Sequence, residues 1–294
     1  MSEIIQPDSE LRQYIPNVLA TAEGEPSLFE KLKPYLDSAE QWALQYFGSE
    51  NVIHRMYSFG EEYKIIVSKM VAYQAFMQAI PNLDLVLTPN GFGIVNNSNV
   101  ASASKERVER LLAQLEAQRD NAIGQYLRVV YFFSLYWEYE PQGLYFMATN
   151  FQNLDICDLC EITAHRWNEY QRLRQQILVI EQDLSNEYFS PEQMAKFRKS
   201  IANRRYYKPD TIYTQVIEAV RSLEVAILTD KKPHPQTARD IVNIIRNNPA
   251  SFQEWHSSAT AKLFVPELLK KKVLGRLLVL IILRIFVRNY TKTT

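Results

Sequence analysis

The sequence predicts a mainly α protein: two helical bundles in tandem, with a β-hairpin projecting from the first. Three observations carry this. Glycine is scarce, eight in 294 residues, whereas folds built from many tight β-turns use more. Apolar residues recur at three- and four-residue spacing through most of the chain, the helical period. One stretch departs from it: residues 83–96 hold two apolar runs, Leu83 to Thr88 and Phe92 to Asn96, around Pro89-Asn90-Gly91. Proline presets φ there and Asn-Gly accepts φ > 0, as a tight turn between two strands requires.

The elements follow in order. Residues 1–26, interrupted by Pro7, Pro16 and Pro26, read as an N-terminal arm. Ser27 and Glu30 have capping-box spacing, and Pro34 should then divide a short turn from a main helix running to Phe47. Leu36, Ala39, Ala43 and Phe47 form its apolar face, and Gly48 ends it. A linker through Phe59 and Gly60 leads to a helix marked by Tyr63, Ile66, Val67, Met70, Tyr73, Met77 and Ile80, which Pro81 should stop. After the hairpin, residues 96–103 read as a loop, and Ser102 or Ser104 offers an N-cap to a long amphipathic helix. Its core positions are Val108, Leu111, Leu112, Leu115, Ile123, Tyr126, Leu127 and Val130, and its solvent face should pair Lys105 with Glu109 and Glu106 with Arg110. The period breaks at Pro141 and Gly143. The division expected is therefore a helical domain over 27–140, a second over 154–265, and a basic, apolar tail over 266–294.

The two halves are parallel in sequence. AEQWALQYFGSENV, from Ala39, aligns with IEQDLSNEYFSPEQM, from Ile180, matching Glu40, Gln41, Tyr46 and Phe47 to Glu181, Gln182, Tyr188 and Phe189. The helices from Tyr63 and Lys105 have counterparts from Tyr213 and Thr237. An internal duplication is one reading; helical periodicity alone, which constrains any two helices to similar patterns, is the other.

The run LDLVLTPNGFGIVNNSNVASASKERVERL, with LKPYLDSAEQWALQYFG before it, closely resembles a family of phage and prophage proteins of Bacteroides-type gut bacteria, crAss-like phages included, associated with head-tail connector or head-completion roles. The resemblance implies a non-enzymatic virion protein. Copies would form a homo-oligomeric ring on the portal or beside a neighbouring connector protein, with DNA passing through the channel without specific binding and no small-molecule substrate. It implies synthesis in the bacterial cytoplasm and incorporation into the virion. By match to the motif, Leu85, Leu87, Pro89, Asn90, Gly91, Phe92, Gly93 and Val95, with Arg107 and Arg110 at the start of the next helix, would carry subunit or portal contacts.

No catalytic or cofactor pattern emerges. Cys157 and Cys160 with His165 supply too few ligands for a zinc site, which needs four. Pro89 to Gly93 is too short for a dinucleotide fingerprint. No cofactor or metal is therefore expected. The N-terminus lacks the basic start and apolar core of a signal peptide. Leu277 to Leu283 is seven apolar residues between Arg276 and Arg284, short of the roughly 20 that span a bilayer.

Lys and Arg equal Asp and Glu at 33 each, yet Pro266–Thr294 holds seven cations against Glu267, leaving 26 basic and 32 acidic residues before it. An acidic body suits a channel that DNA slides through. The basic tail with Lys270, Lys271 and Lys272, and the mixed cationic and aromatic stretch Lys196 to Lys208 with Arg204 and Arg205, support an alternative: a DNA- or membrane-associated accessory protein.

Overall fold

A serine and a glutamate start the first helix. The Ser27 hydroxyl accepts from the Glu30 amide at 3.1 Å, while the Glu30 carboxylate accepts from the Ser27 amide at 2.7 Å. Two free donors are thereby satisfied reciprocally. The structure, a computed structural model, describes residues 11, 13–15, 27–83, 85–88, 91–94, 104–133, 137–203 and 211–264. These residues are mainly helical and divide into two compact units, residues 1–178 with 201–204, and residues 179–200 with 205–294.

In the first unit, α1 spans Leu28–Phe47, α2 Glu50–Phe59 and α3 Glu61–Leu83. The strands β1 (Leu85–Thr88) and β2 (Gly91–Ile94) follow, then α4 (Lys105–Phe133), a 3₁₀ turn (Trp137–Tyr139), α5 (Pro141–Met147) and α6 (Asp155–Leu159). Helix α7 (Arg166–Leu184) contributes its first part to this unit and its last residues to the second. Helix α3 packs against α1, α2 and α4, and Ser68, Ala72, Ala75 and Ala79 are wholly buried on it. Such small side chains let neighbouring backbones come close. Leu11, Tyr14 and Ile15, from the expected arm, are also buried.

Several expectations about punctuation are corrected. Pro34 does not divide α1, which runs through it. Proline removes the bond to the Glu30 carbonyl, but both residues are exposed, so water can take that acceptor, while Leu32 and Leu36 on either side are fully buried. Pro81 likewise lies inside α3, where the Asn82 side chain donates to the Gln78 carbonyl at 3.5 Å. The stretch expected to be a linker is α2, anchored by Val52, Ile53 and Met56. Pro141, where the period breaks, opens a new helix at the first position, where a missing N–H costs nothing.

The core of the first unit is aromatic. Around the buried Phe47 ring stand Trp42, Tyr126, Phe146 and Trp167, with centroids 4.9 to 6.2 Å away. The Tyr126 hydroxyl donates to the Phe47 carbonyl at 2.6 Å and Tyr170 to that of Phe151 at 3.0 Å, so these buried phenols are partnered. Burial raises both phenols well above their ordinary pKa.

The second unit holds the end of α7, a turn of π-helix (Ser185–Phe189), most of α8 (Pro191–Ala202), α9 (Ile212–Asp230), α10 (Pro235–Asn247), α11 (Gln253–Ser257) and α12 (Ala259–Leu263). Helix α9 packs on α10, and the π-turn on α10 and α12. Thr211 caps α9 through its hydroxyl, and Lys231 at φ 53° ends it in the left-handed conformation. The Trp255 indole donates to the Tyr188 carbonyl at 2.8 Å, and the Phe197, Tyr213 and Phe252 rings meet at 5.5 to 6.4 Å.

The aligned segments have a common local outline. Phe47 and Phe189 are both wholly buried; each precedes a residue at positive φ, Gly48 at 146° and Ser190 at 64°, and each is followed by a new helix.

Candidate functional site

The residues named from the sequence fall in three places. At the first, β1 and β2 pair antiparallel as a two-stranded sheet, Leu85 opposite Ile94, Val86 opposite Gly93, Leu87 opposite Phe92 and Thr88 opposite Gly91. Because faces alternate along a strand, positions 85, 87, 92 and 94 share one face and 86, 88, 91 and 93 the other. By sequence the first set is Leu, Leu, Phe and Ile, and the second is Val, Thr and two Gly. Ile94 joins the first set, a position the sequence reading omitted; strict alternation across the turn was the signal for it. Pro89, Asn90 and Val95 lie outside the described residues.

Arg107 and Arg110 occupy the second place, the first turns of α4, where both are exposed and stand three residues apart on one face. Ser104 precedes the helix, its carbonyl accepting from the Arg107 and Val108 amides. Lys105 pairs with Glu109 at 3.6 Å. No ion pair joins Glu106 to Arg110 among the described residues, in keeping with the small net gain of pairing two long side chains in water.

The third place is the cationic stretch from Lys196. Lys196 donates to both Glu254 oxygens at 2.6 Å, Arg198 to the buried Glu181 carboxylate at 3.0 Å, and Phe197 is wholly buried. These groups hold the second unit together and present neither free charge nor an open stacking ring. Arg204, Arg205, Lys270, Lys271 and Lys272 lie outside the described residues.

A buried polar network lies elsewhere, in the first unit. Arg119 donates through Nε and Nη2 to Asp120 Oδ1 at 2.9 and 2.7 Å, through Nη1 to Gln74 at 2.9 Å, and through Nη2 to Glu116 at 3.4 Å. Its guanidinium lies over the Trp42 ring at 6.0 Å. The second Asp120 oxygen accepts from the Trp167 amide at 3.0 Å, in the first turn of α7. His165 meets Glu116 at 2.6 Å. Asp120 is thus an N-cap supplied from another helix, and the network ties α3 and α4 to the start of α7.

The Cys157, Cys160 and His165 pattern is separated by its partners. Both cysteines are free; Cys157 Sγ donates to the Arg166 carbonyl at 3.3 Å, whereas His165 turns to Glu116. Burial pushes the Cys157 thiol up to about 11, against a smaller opposing pull from Arg166. Among the described residues no group of three or more His, Cys, Asp or Glu is placed to hold a metal ion, and no helix is long and apolar enough to cross a membrane.

Residues 15–131 match the model of a family of unknown function, DUF6712. The match takes in α1 to α3, both strands and nearly all of α4. Neither the comparison with curated proteins nor that with solved structures returns a match.

Proposed function

We propose that this chain is a non-enzymatic assembly protein of a tailed phage or prophage virion, a head-tail connector whose copies form a ring on the portal. It is made in the bacterial cytoplasm and becomes part of the virion. What supports the reading is the segment between α3 and α4: its two strands pair with each other in a two-stranded sheet, and the positions of one register set are all apolar in sequence. Such a ribbon buries too little surface to be stable alone in water. It projects from the first of two tandem bundles and gains its stability by packing on the portal or on the next copy, and the exposed Arg107 and Arg110 join the same contact. The likeness of the Phe47 and Phe189 joints supports a duplicated bundle in which only the first copy carries the hairpin. DNA passes through the ring without specific binding.

Mass photometry of the chain, alone and mixed with the portal protein encoded nearby, tests this. Rings or portal complexes are expected, and they should vanish in the Phe92→Asp and Val95→Asp variants while helical circular dichroism is unchanged. Absence of assembly under every condition, with salt-dependent binding to DNA or anionic vesicles lost in a K270E/K271E/K272E variant, overturns the reading in favour of an accessory protein.

A further inference from the structure

Charge is divided unevenly between the two units. Residues 1–178 with 201–204 hold 15 Lys and Arg against 22 Asp and Glu, whereas residues 179–200 with 205–294 hold 18 against 11. One unit is net acidic by seven and the other net basic by seven, in a chain whose sum is zero. Most of the basic excess is the Pro266–Thr294 segment, and unlike charges on two copies attract and set the orientation of a contact.

Part of the acidity is displayed at the corner between α2 and α3. Glu61 and Glu62 open α3, and both are exposed. Just before them Phe59 is 68% exposed, its ring edge-on to Tyr63 at 5.7 Å. Lys64, also at this corner, stands over the Tyr57 ring at 5.2 Å. The corner is an apolar ring bordered by carboxylates. The segment Pro266–Thr294 has the complementary composition: Leu268-Leu269 beside Lys270-Lys271-Lys272, and further apolar runs punctuated by Arg276, Arg284 and Arg288.

We propose that the α2–α3 corner of one copy receives the Pro266–Thr294 segment of a second copy, with leucines against Phe59 and Tyr63 and Lys270 to Lys272 opposite Glu61 and Glu62. The aromatic pair supplies the desolvated anchor and the charges set orientation and encounter rate. Two different surfaces meet, so the contact is head-to-tail and propagates from copy to copy until a ring closes. The inference rests on the reading that copies assemble, and names the contact between neighbours.

Sedimentation velocity of the full chain at roughly 50 mM and 500 mM salt tests it, because the screening length falls about threefold over that range. Association about tenfold weaker at the higher salt is expected. E61K/E62K and K270E/K271E/K272E should each abolish it, and an equimolar mixture of the two variants should restore it, with circular dichroism verifying that each is folded. A wild-type chain that stays monomeric at low salt, association indifferent to either reversal, or no recovery in the mixture overturns the proposal. Portal complexes lost in Phe92→Asp but kept in both charge variants would discard this contact and leave the connector reading standing. Recovery in the mixture without any portal complex would do the reverse.

Discussion

At Gly143 a β-carbon would sit 1.7 Å from the Trp137 carbonyl oxygen, far inside contact distance. No rotamer relieves that, since the obstacle is backbone. Gly143→Ala is therefore expected to cost about 3 kcal/mol, the upper end of overpacking penalties, read as a lowered urea midpoint. Cys157 makes a chemical prediction. With its thiol pushed up to about 11 by burial, only about 0.1% is thiolate at pH 8, so alkylation in the folded protein should be far slower than in urea. Equal rates in the two states would refute the burial. Asp120 faces both Arg119 and the Trp167 amide. Asp120→Ala takes two hydrogen bonds from a guanidinium that is 5% exposed and removes the cap of the Trp167 amide, while Glu116 and Gln74 still hold Arg119, so a loss of about 2 to 3 kcal/mol is expected. Asp120→Asn keeps one acceptor and should cost clearly less.

Among the elements, the apolar faces were legible in part and the punctuation was not: on α3 Val67, Met70 and Tyr73 are buried as their spacing implied, whereas Tyr63, Ile66, Met77 and Ile80 are half-buried and Ser68, Ala72, Ala75 and Ala79 fill the interface. Leu36, Ala39, Ala43 and Phe47 are 0 to 1% exposed, and Leu115, Ile123, Tyr126, Leu127 and Val130 line α4 as their spacing implied. Prolines misled, because the sequence states the local penalty but not whether the packing around it prevails. Pro34 and Pro81 sit inside helices whose buried faces outweigh one missing bond each. Replacing the exposed Pro34 by Ala should accordingly stabilise the chain by about 2 kcal/mol, measured by thermal denaturation, since the bond to Glu30 is regained without altering the core. Helix α2 escaped notice because its ten residues offer only Val52, Ile53 and Met56 as a period. The Asp120 network was illegible for another reason: Glu116, Arg119 and Asp120 share α4, but Gln74, His165 and Trp167 reach them only through tertiary packing.

For the whole molecule, burial of ionisable groups sets the alkaline limit. Cys157, Tyr126 and Tyr170 all have raised pKa values in the folded state, desolvation being the largest cause of each. The unfolded chain releases these protons first, so it binds fewer protons than the folded one above the ordinary thiol and phenol range. Stability is whole below about pH 9 and should fall steadily as pH rises through 11. Denaturation midpoints across that range check the slope, and a flat profile would contradict it. The aromatic core has an optical consequence as well. Phe146, Tyr170 and Trp167 stack at interplanar angles of 24° and 17°, close enough for their transitions to couple. Three of the four tryptophans, Trp42, Trp137 and Trp167, lie in the first unit, while Trp255 is alone in the second. The chain thus carries its own pair of spectroscopic labels. The near-ultraviolet band reports chiefly on one unit, and the emission lost in a Trp255→Phe variant isolates the other, so the state of each unit can be followed separately without attaching a dye.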